Sequence, residues 1–132
     1  MSAPILLDAS CVLAWLFDEK GAKQIEPVLT TSFITSANMA EVITKVERLT
    51  GQGHSCADDL VEAGLTVIPV GWQELAAVAD IRKQEGALPK GTKLSLGDTL
   101  CLAVGLTHDM EVWTADRAWG NLQLPIQTVI IR

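Results

Sequence analysis

Four acidic residues, Asp8, Glu41, Asp98 and Asp116, fall where one edge of a parallel sheet would collect them. Asp8 follows the apolar run Ile5-Leu6-Leu7 directly, and Asp116 follows Val112-Trp113-Thr114-Ala115. Asp98 opens a helical stretch after Leu94-Ser95-Leu96-Gly97, and Glu41 lies in the first turns of another helix. In a parallel sheet, strand ends and the starts of following helices share the carboxyl edge, where open α/β sheets bind ligands. Four carboxylates crowded there cannot all stay ionised without a cation. Oxygen-only donors of this kind select Mg²⁺ or Mn²⁺ over zinc. Such a site suits phosphodiester hydrolysis, because a divalent cation lowers the pKa of a water and neutralises charge on phosphoryl oxygens.

Each acid also has a plainer reading. Asp8 can cap the next helix or sit in a turn. Asp98 can form a capping box with Ser95, and Asp116 can head a surface turn before Trp119-Gly120. Glu41 points away from the stripe Met39, Val42, Ile43 and Val46 on a helical wheel, and can pair with Lys45 at i+4. Their joint placement on one edge favours the metal site.

The elements that must deliver these residues follow from periodicity. Short unbroken apolar runs at Ile5–Leu7, Phe33–Thr35, Thr66–Val70, Glu111–Thr114 and Gln127–Ile131 read as buried strands. Between them, helical spacing predicts helices over 11–17 (with Ser10 as N-cap), 22–29, about 13 residues from Ser36, 56–63, 72–83 and 95–108. Residues 86–97, with three glycines and Pro89, read as a loop. Strands alternating with helices, without hairpin signals, predict a three-layer α/β domain, a parallel five-stranded sheet flanked by helices, spanning 1–132 as one domain.

Composition narrows the class. The chain has 132 residues and a formal charge of −6, which argues against a general nucleic-acid coat or direct DNA binding by this chain alone. It does not exclude an enzyme reaching nucleic acid through cations. No apolar run approaches a membrane span, and neither a secretion signal nor a disulfide or C-x-x-C pattern is evident, so a cytoplasmic location is expected. Cys11 and Cys101 each lie three residues past a candidate ligand, and helical spacing makes them core residues instead. His54 and His108 lack base-and-nucleophile partners, which speaks against serine or cysteine hydrolase chemistry.

The segments Leu6-Leu7-Asp8-Ala9-Ser10, Asn38-Met39-Ala40-Glu41-Val42, Leu94 to Ala103 and Val112 to Trp119 together resemble the PIN-domain family, and within it the VapC-type toxins of toxin–antitoxin operons. The last two, in that order and separation, are the specific ones. The resemblance implies a PIN-like fold and an Mg²⁺- or Mn²⁺-dependent endoribonuclease acting on structured RNA. It implies metal ligation by Asp8 and Asp98, with Asp116 and Glu41 binding a second metal or orienting the attacking water. Ser10 and Thr114 would hold carboxylates or water from behind. It also implies a homodimer and a cognate antitoxin protein that blocks the site.

Arg82, Lys83, Lys90 and Lys93 gather four of the ten bases just before Asp98, so Lys90 and Lys93 are candidate RNA contacts, or simply a solvated loop. Trp15, Phe17 and Trp119 are candidates for a partner-binding patch or for the core edge. Two other classes compete with the ribonuclease. A phospho-acceptor signalling domain with Mg²⁺ needs an acid after the third strand, where Val70-Gly71-Trp72 stands instead. A non-catalytic domain whose acidic edge binds only protein is the other.

Overall fold

A computed structural model describes residues 3–132. Its five strands are β1 (Ile5–Leu7), β2 (Phe33–Thr35), β3 (Thr66–Ile68), β4 (Glu111–Thr114) and β5 (Thr128–Ile130). They form one parallel sheet in the order β3-β2-β1-β4-β5. The helices are α1 (Ala9–Leu16), α2 (Ala22–Ile25), α3 (Ser36–Thr50), α4 (Gly53–Ala63), α5 (Val78–Lys83) and α6 (Leu96–His108). Successive strands step outward from β1 to β3, then the chain returns to the other side of β1 to lay down β4 and β5. The boundary between β1 and β4 is therefore the topological switch point. Their register, Leu6 on Val112 and Leu7 on Trp113, brings the residues that follow each strand side by side.

Leu6 and Leu7 explain why the first strand is an unbroken apolar run. Neighbouring strand residues face opposite sides of a sheet, and both sides here are covered. Leu7 packs with Val12, Ile25, Ile34, Val42 and Leu60 beneath α1 to α4. Leu6 packs with Ile81, Leu102, Val104, Val112 and Trp119 beneath α5 and α6. Gly105 lets α6 lie close on the sheet, since a Cβ there would run into Cγ2 of Val112.

Several boundaries differ from the sequence expectations, each for a local reason. Asp8, not Ser10, caps α1, by accepting the Cys11 amide at 3.0 Å. Thr35 caps α3 through the Asn38 amide, which frees Ser36 Oγ to accept the Val70 amide at 3.1 Å. That bond ends β3 at Ile68, since Pro69 has no N–H to continue a ladder. Pro27 limits α2 to four residues, and a 3-10 turn, Leu29–Thr31, follows. The expected helix over 72–83 is split into a 3-10 turn, Glu74–Ala77, and α5; apolar spacing over four residues does not separate the two windings. The stretch 86–97 is open between the 3-10 turn Gln84–Ala87 and the start of α6 at Leu96. Among the described residues, no helix is long and apolar enough to cross a membrane.

Candidate active site

Asp8 is the fixed point of the carboxyl edge. It is 4% exposed, and both carboxylate oxygens are engaged. Oδ1 accepts Ser10 Oγ at 2.6 Å and the Cys11 amide, while Oδ2 accepts Thr114 Oγ1 at 2.5 Å. The two hydroxyls are themselves held across the switch point. Ser10 Oγ accepts the Ala115 amide at 2.9 Å, and Thr114 Oγ1 accepts the Asp116 amide at 3.1 Å. Ser10 and Thr114 thus join the end of β1 to the end of β4 and set where Asp8 and Asp116 stand. Asp116 is exposed, and its Oδ1 accepts the Ala118 amide at the head of a 3-10 turn, Arg117–Asn121.

Asp98 completes a capping box: Ser95 Oγ accepts its amide at 3.0 Å, and its own Oδ2 accepts the Ser95 amide at 3.1 Å. Its other oxygen has no protein partner among the described residues. The capping role and a ligand role are compatible, because each uses a different oxygen.

Glu41 does not pair with Lys45. Its carboxylate lies over Gly97 at the start of α6, where a Cβ would overlap Oε1. Asn38 underpins this contact, with Nδ2 at 3.4 Å from both Glu41 Oε2 and the Gly97 carbonyl. Asn38 and Gly97 are structural contributors that sequence reasoning missed. The available signal was a buried polar residue three positions before Glu41 and a glycine beside Asp98. Lys90 and Lys93 are exposed on the loop before α6. Arg82, by contrast, pairs with Glu85 at 2.7 Å and donates to the Leu94 carbonyl, and Lys83 pairs with Asp80.

The electrostatics link the four acids. Burial pushes the Asp8 carboxyl up against its three donors, with a further push from Asp98. Burial raises Glu41, as do the charges of Asp98 and Asp8. Burial also raises Asp98, and Asp116 adds to it. Cys11 and Cys101 are fully buried beneath the site, and burial with the nearby carboxylates pushes both thiols far up. Neither is available as a thiolate ligand. Trp119 is core, and Trp15 is half-buried with its indole N–H on Glu26.

Among the described residues, no three His, Cys, Asp or Glu side chains converge tightly enough to enclose an ion by themselves. Mg²⁺ demands less than that, since it keeps several waters and takes one or two protein carboxylates. An all-oxygen set with a free Asp98 oxygen, and carboxyls raised by burial and further by one another's charge, fits a divalent cation, which would relieve that repulsion.

A parallel α/β sheet carrying a carboxylate-lined switch point defines the class. The PIN domain family matches residues 5–123, and the chain belongs to that family. No curated relative matches it by sequence. Among solved structures it is similar to a chain of DNA-bound VapBC from Salmonella typhimurium, at 16% identity and a TM-score of 0.73, covering 98% of this chain and 99% of that one. A chain of VapBC2 from Rickettsia felis, bound to a promoter DNA fragment, gives 16% and 0.71, with 97% and 98% covered. Mycobacterium tuberculosis VapC20, described as a Sarcin-Ricin loop cleaving toxin, gives 16% and 0.65, with 88% and 92% covered. At these identities the likeness is one of fold, and the fold is that of the VapC-type toxins.

Proposed function

We propose that this protein is a metal-dependent endoribonuclease, the toxin of a VapBC-type toxin–antitoxin pair. The observation that carries the reading is the Asp8 carboxylate, held by Ser10, Cys11 and Thr114 at the switch point, with the charge of Asp98 acting on it and Glu41 and Asp116 linked in turn. Asp8, Asp98 and Asp116 are the residues that would hold Mg²⁺ or Mn²⁺. When bound, the cation supplies charge neutralisation at the phosphate and an acidified water.

The chain's own groups do the rest. Ser10 and Thr114 keep both oxygens of Asp8 in one orientation, so the buried carboxylate cannot swing away from the edge. The capping box leaves Asp98 one oxygen for the site. Glu41, its affinity for protons raised by burial and then by its acidic neighbours, orients the attacking water and takes its proton. Lys90 and Lys93, both without an ion-pair partner among the described residues, meet RNA phosphates on the α6 side.

The antitoxin has a surface to occupy on the far side of α1. A groove of about 330 Å³ is lined by Trp15, Leu16, Leu29 and Leu60 together with the acids Glu26 and Asp59, and an amphipathic helix of the partner would fill it. The toxin acts as a homodimer, and DNA recognition belongs to the antitoxin. Cleavage of total cellular RNA by purified protein, with metal and with EDTA, tests the activity; co-purification with the product of an adjacent small reading frame tests the pairing.

A further inference from the structure

A second groove, of about 340 Å³, opens from Glu41 and runs between α1 and α3. Half-buried Leu13 of α1 lines it with Ala40, Thr44, Lys45 and Arg48 of α3. Glu41, Thr44, Lys45 and Arg48 are spaced i, i+3, i+4 and i+7, which is one face of a helix. Lys45 lies about 6 Å and Arg48 about 10 Å along the axis from Glu41.

The two cations are uncommitted. Among the described residues neither makes an ion pair within 4.0 Å. The acid placed to pair with Lys45 is Glu41, and its carboxylate is turned over Gly97 instead. Arg48 has no acid three or four residues away in either direction, since those positions hold Lys45, Thr44, Gly51 and Gln52. Lys45 and Arg48 at i,i+3 repel each other, which weakens the helix. Arg48 suits the negative end of the α3 dipole, but Lys45, a turn earlier, gains little from it. Two adjacent unpaired cations in a chain of charge −6, in a groove that shares Glu41 with the acidic edge, ask for an anion.

We propose that the α1–α3 groove is a phosphate-binding subsite, in which Lys45 and Arg48 hold two backbone phosphates of the RNA strand beyond the scissile bond. This rests on the ribonuclease reading and extends it. A phosphodiester at the carboxylates requires the strand to continue along the surface, and this groove begins where the carboxylates end. The contacts are to phosphates, so they position the strand without reading its bases. Thr44 adds no donor, because its hydroxyl is spent on the Ala40 carbonyl at 2.8 Å. An acidic segment of a protein partner is the other occupant with suitable charge.

The test is the salt dependence of cleavage. Initial rates on total cellular RNA, at sub-saturating RNA with Mn²⁺, are compared between wild type and the Lys45→Ala, Arg48→Ala double variant. Losing two single-strand phosphate contacts flattens the log rate against log salt slope by about 1.4, so between about 50 and 200 mM salt the variant loses roughly sevenfold less rate. The rate at saturating RNA stays unchanged, and the exchange variant Lys45→Arg, Arg48→Lys recovers the wild-type slope. Parallel slopes in wild type and double variant overturn the subsite, as does a double variant that cleaves normally but no longer binds the antitoxin. A wild type that does not cleave at all fails the ribonuclease reading itself, and the subsite with it.

Discussion

Gly97→Ala separates the geometry of the site from the stability of the fold. A Cβ at Gly97 overlaps Glu41 Oε1, comes close to Glu41 Cδ and stands 3.3 Å from Asn38 Nδ2. The obstructing atoms are the far end of a flexible side chain, so the substitution is accommodated by turning Glu41 out of the site. Forcing Glu41 into a poor rotamer costs about 0.5–1.5 kcal/mol. Alanine gains up to about 1 kcal/mol over glycine in a helix interior and less in the first turn where Gly97 stands, so the two partly cancel. We expect a melting temperature within about 4 °C of wild type. The site tolerates far less, because misplacing a catalytic group by about 1 Å costs on the order of 100-fold in rate. Cleavage of total RNA with Mn²⁺ should therefore fall by about that factor in a fully folded protein. Glu41→Gln should lose as much, and the double variant should be no worse than either, since both act on one carboxylate. Wild-type activity in Gly97→Ala beside an inactive Glu41→Gln would refute the placement of Glu41. Independent, multiplying losses would refute the shared cause.

Two further outcomes follow from the raised carboxyls. Asp8, Glu41 and Asp98 all lie above their ordinary values of 3.8, 4.5 and 3.8, so the folded protein keeps protons that the unfolded chain releases. Stability without metal therefore falls as pH rises from those values through the folded ones, and a divalent cation offsets the fall. Melting temperatures in EDTA and in Mn²⁺ should diverge as pH rises above those ordinary values, less so in Asp98→Asn; a gap independent of pH would contradict this. Thr114→Val removes the donor to Asp8 Oδ2 and orphans the Asp116 amide. It should cost about 2–3 kcal/mol by urea denaturation at pH 8. Because the lost bond favours the charged carboxylate, the cost should shrink as pH falls from 8 toward the ordinary value of 3.8, and a cost unchanged over that whole range would count against it.

The strands and the long helices were legible because burial on both sheet faces leaves an unbroken apolar run, and one-sided burial leaves a 3.6-residue period. Asp8 and Asp116 could be placed at the edge for the same reason: each follows such a run at once. What was not legible depended on contacts distant in sequence. Helical spacing sends Glu41 toward Lys45, and only the docking of α3 on Gly97 turns it toward Asp98. Whether Asp8 or Ser10 caps α1 is a contest between two good acceptors, decided by Thr114 pulling Asp8 from across the sheet. The groove beside Lys45 and Arg48 carried no sequence signal, since Leu13, which lines it with them, comes from another helix. The 3-10 turns carried no separate signal.

The most direct test of the central claim is RNA cleavage by purified protein with Mg²⁺, with Mn²⁺ and with EDTA, alongside folded Asp8→Asn and Asp98→Asn. Discrete cuts in total cellular RNA that require metal and vanish in both variants are the predicted result. Cutting that persists equally in the variants, or in EDTA, would contradict a carboxylate-held metal as the seat of the chemistry.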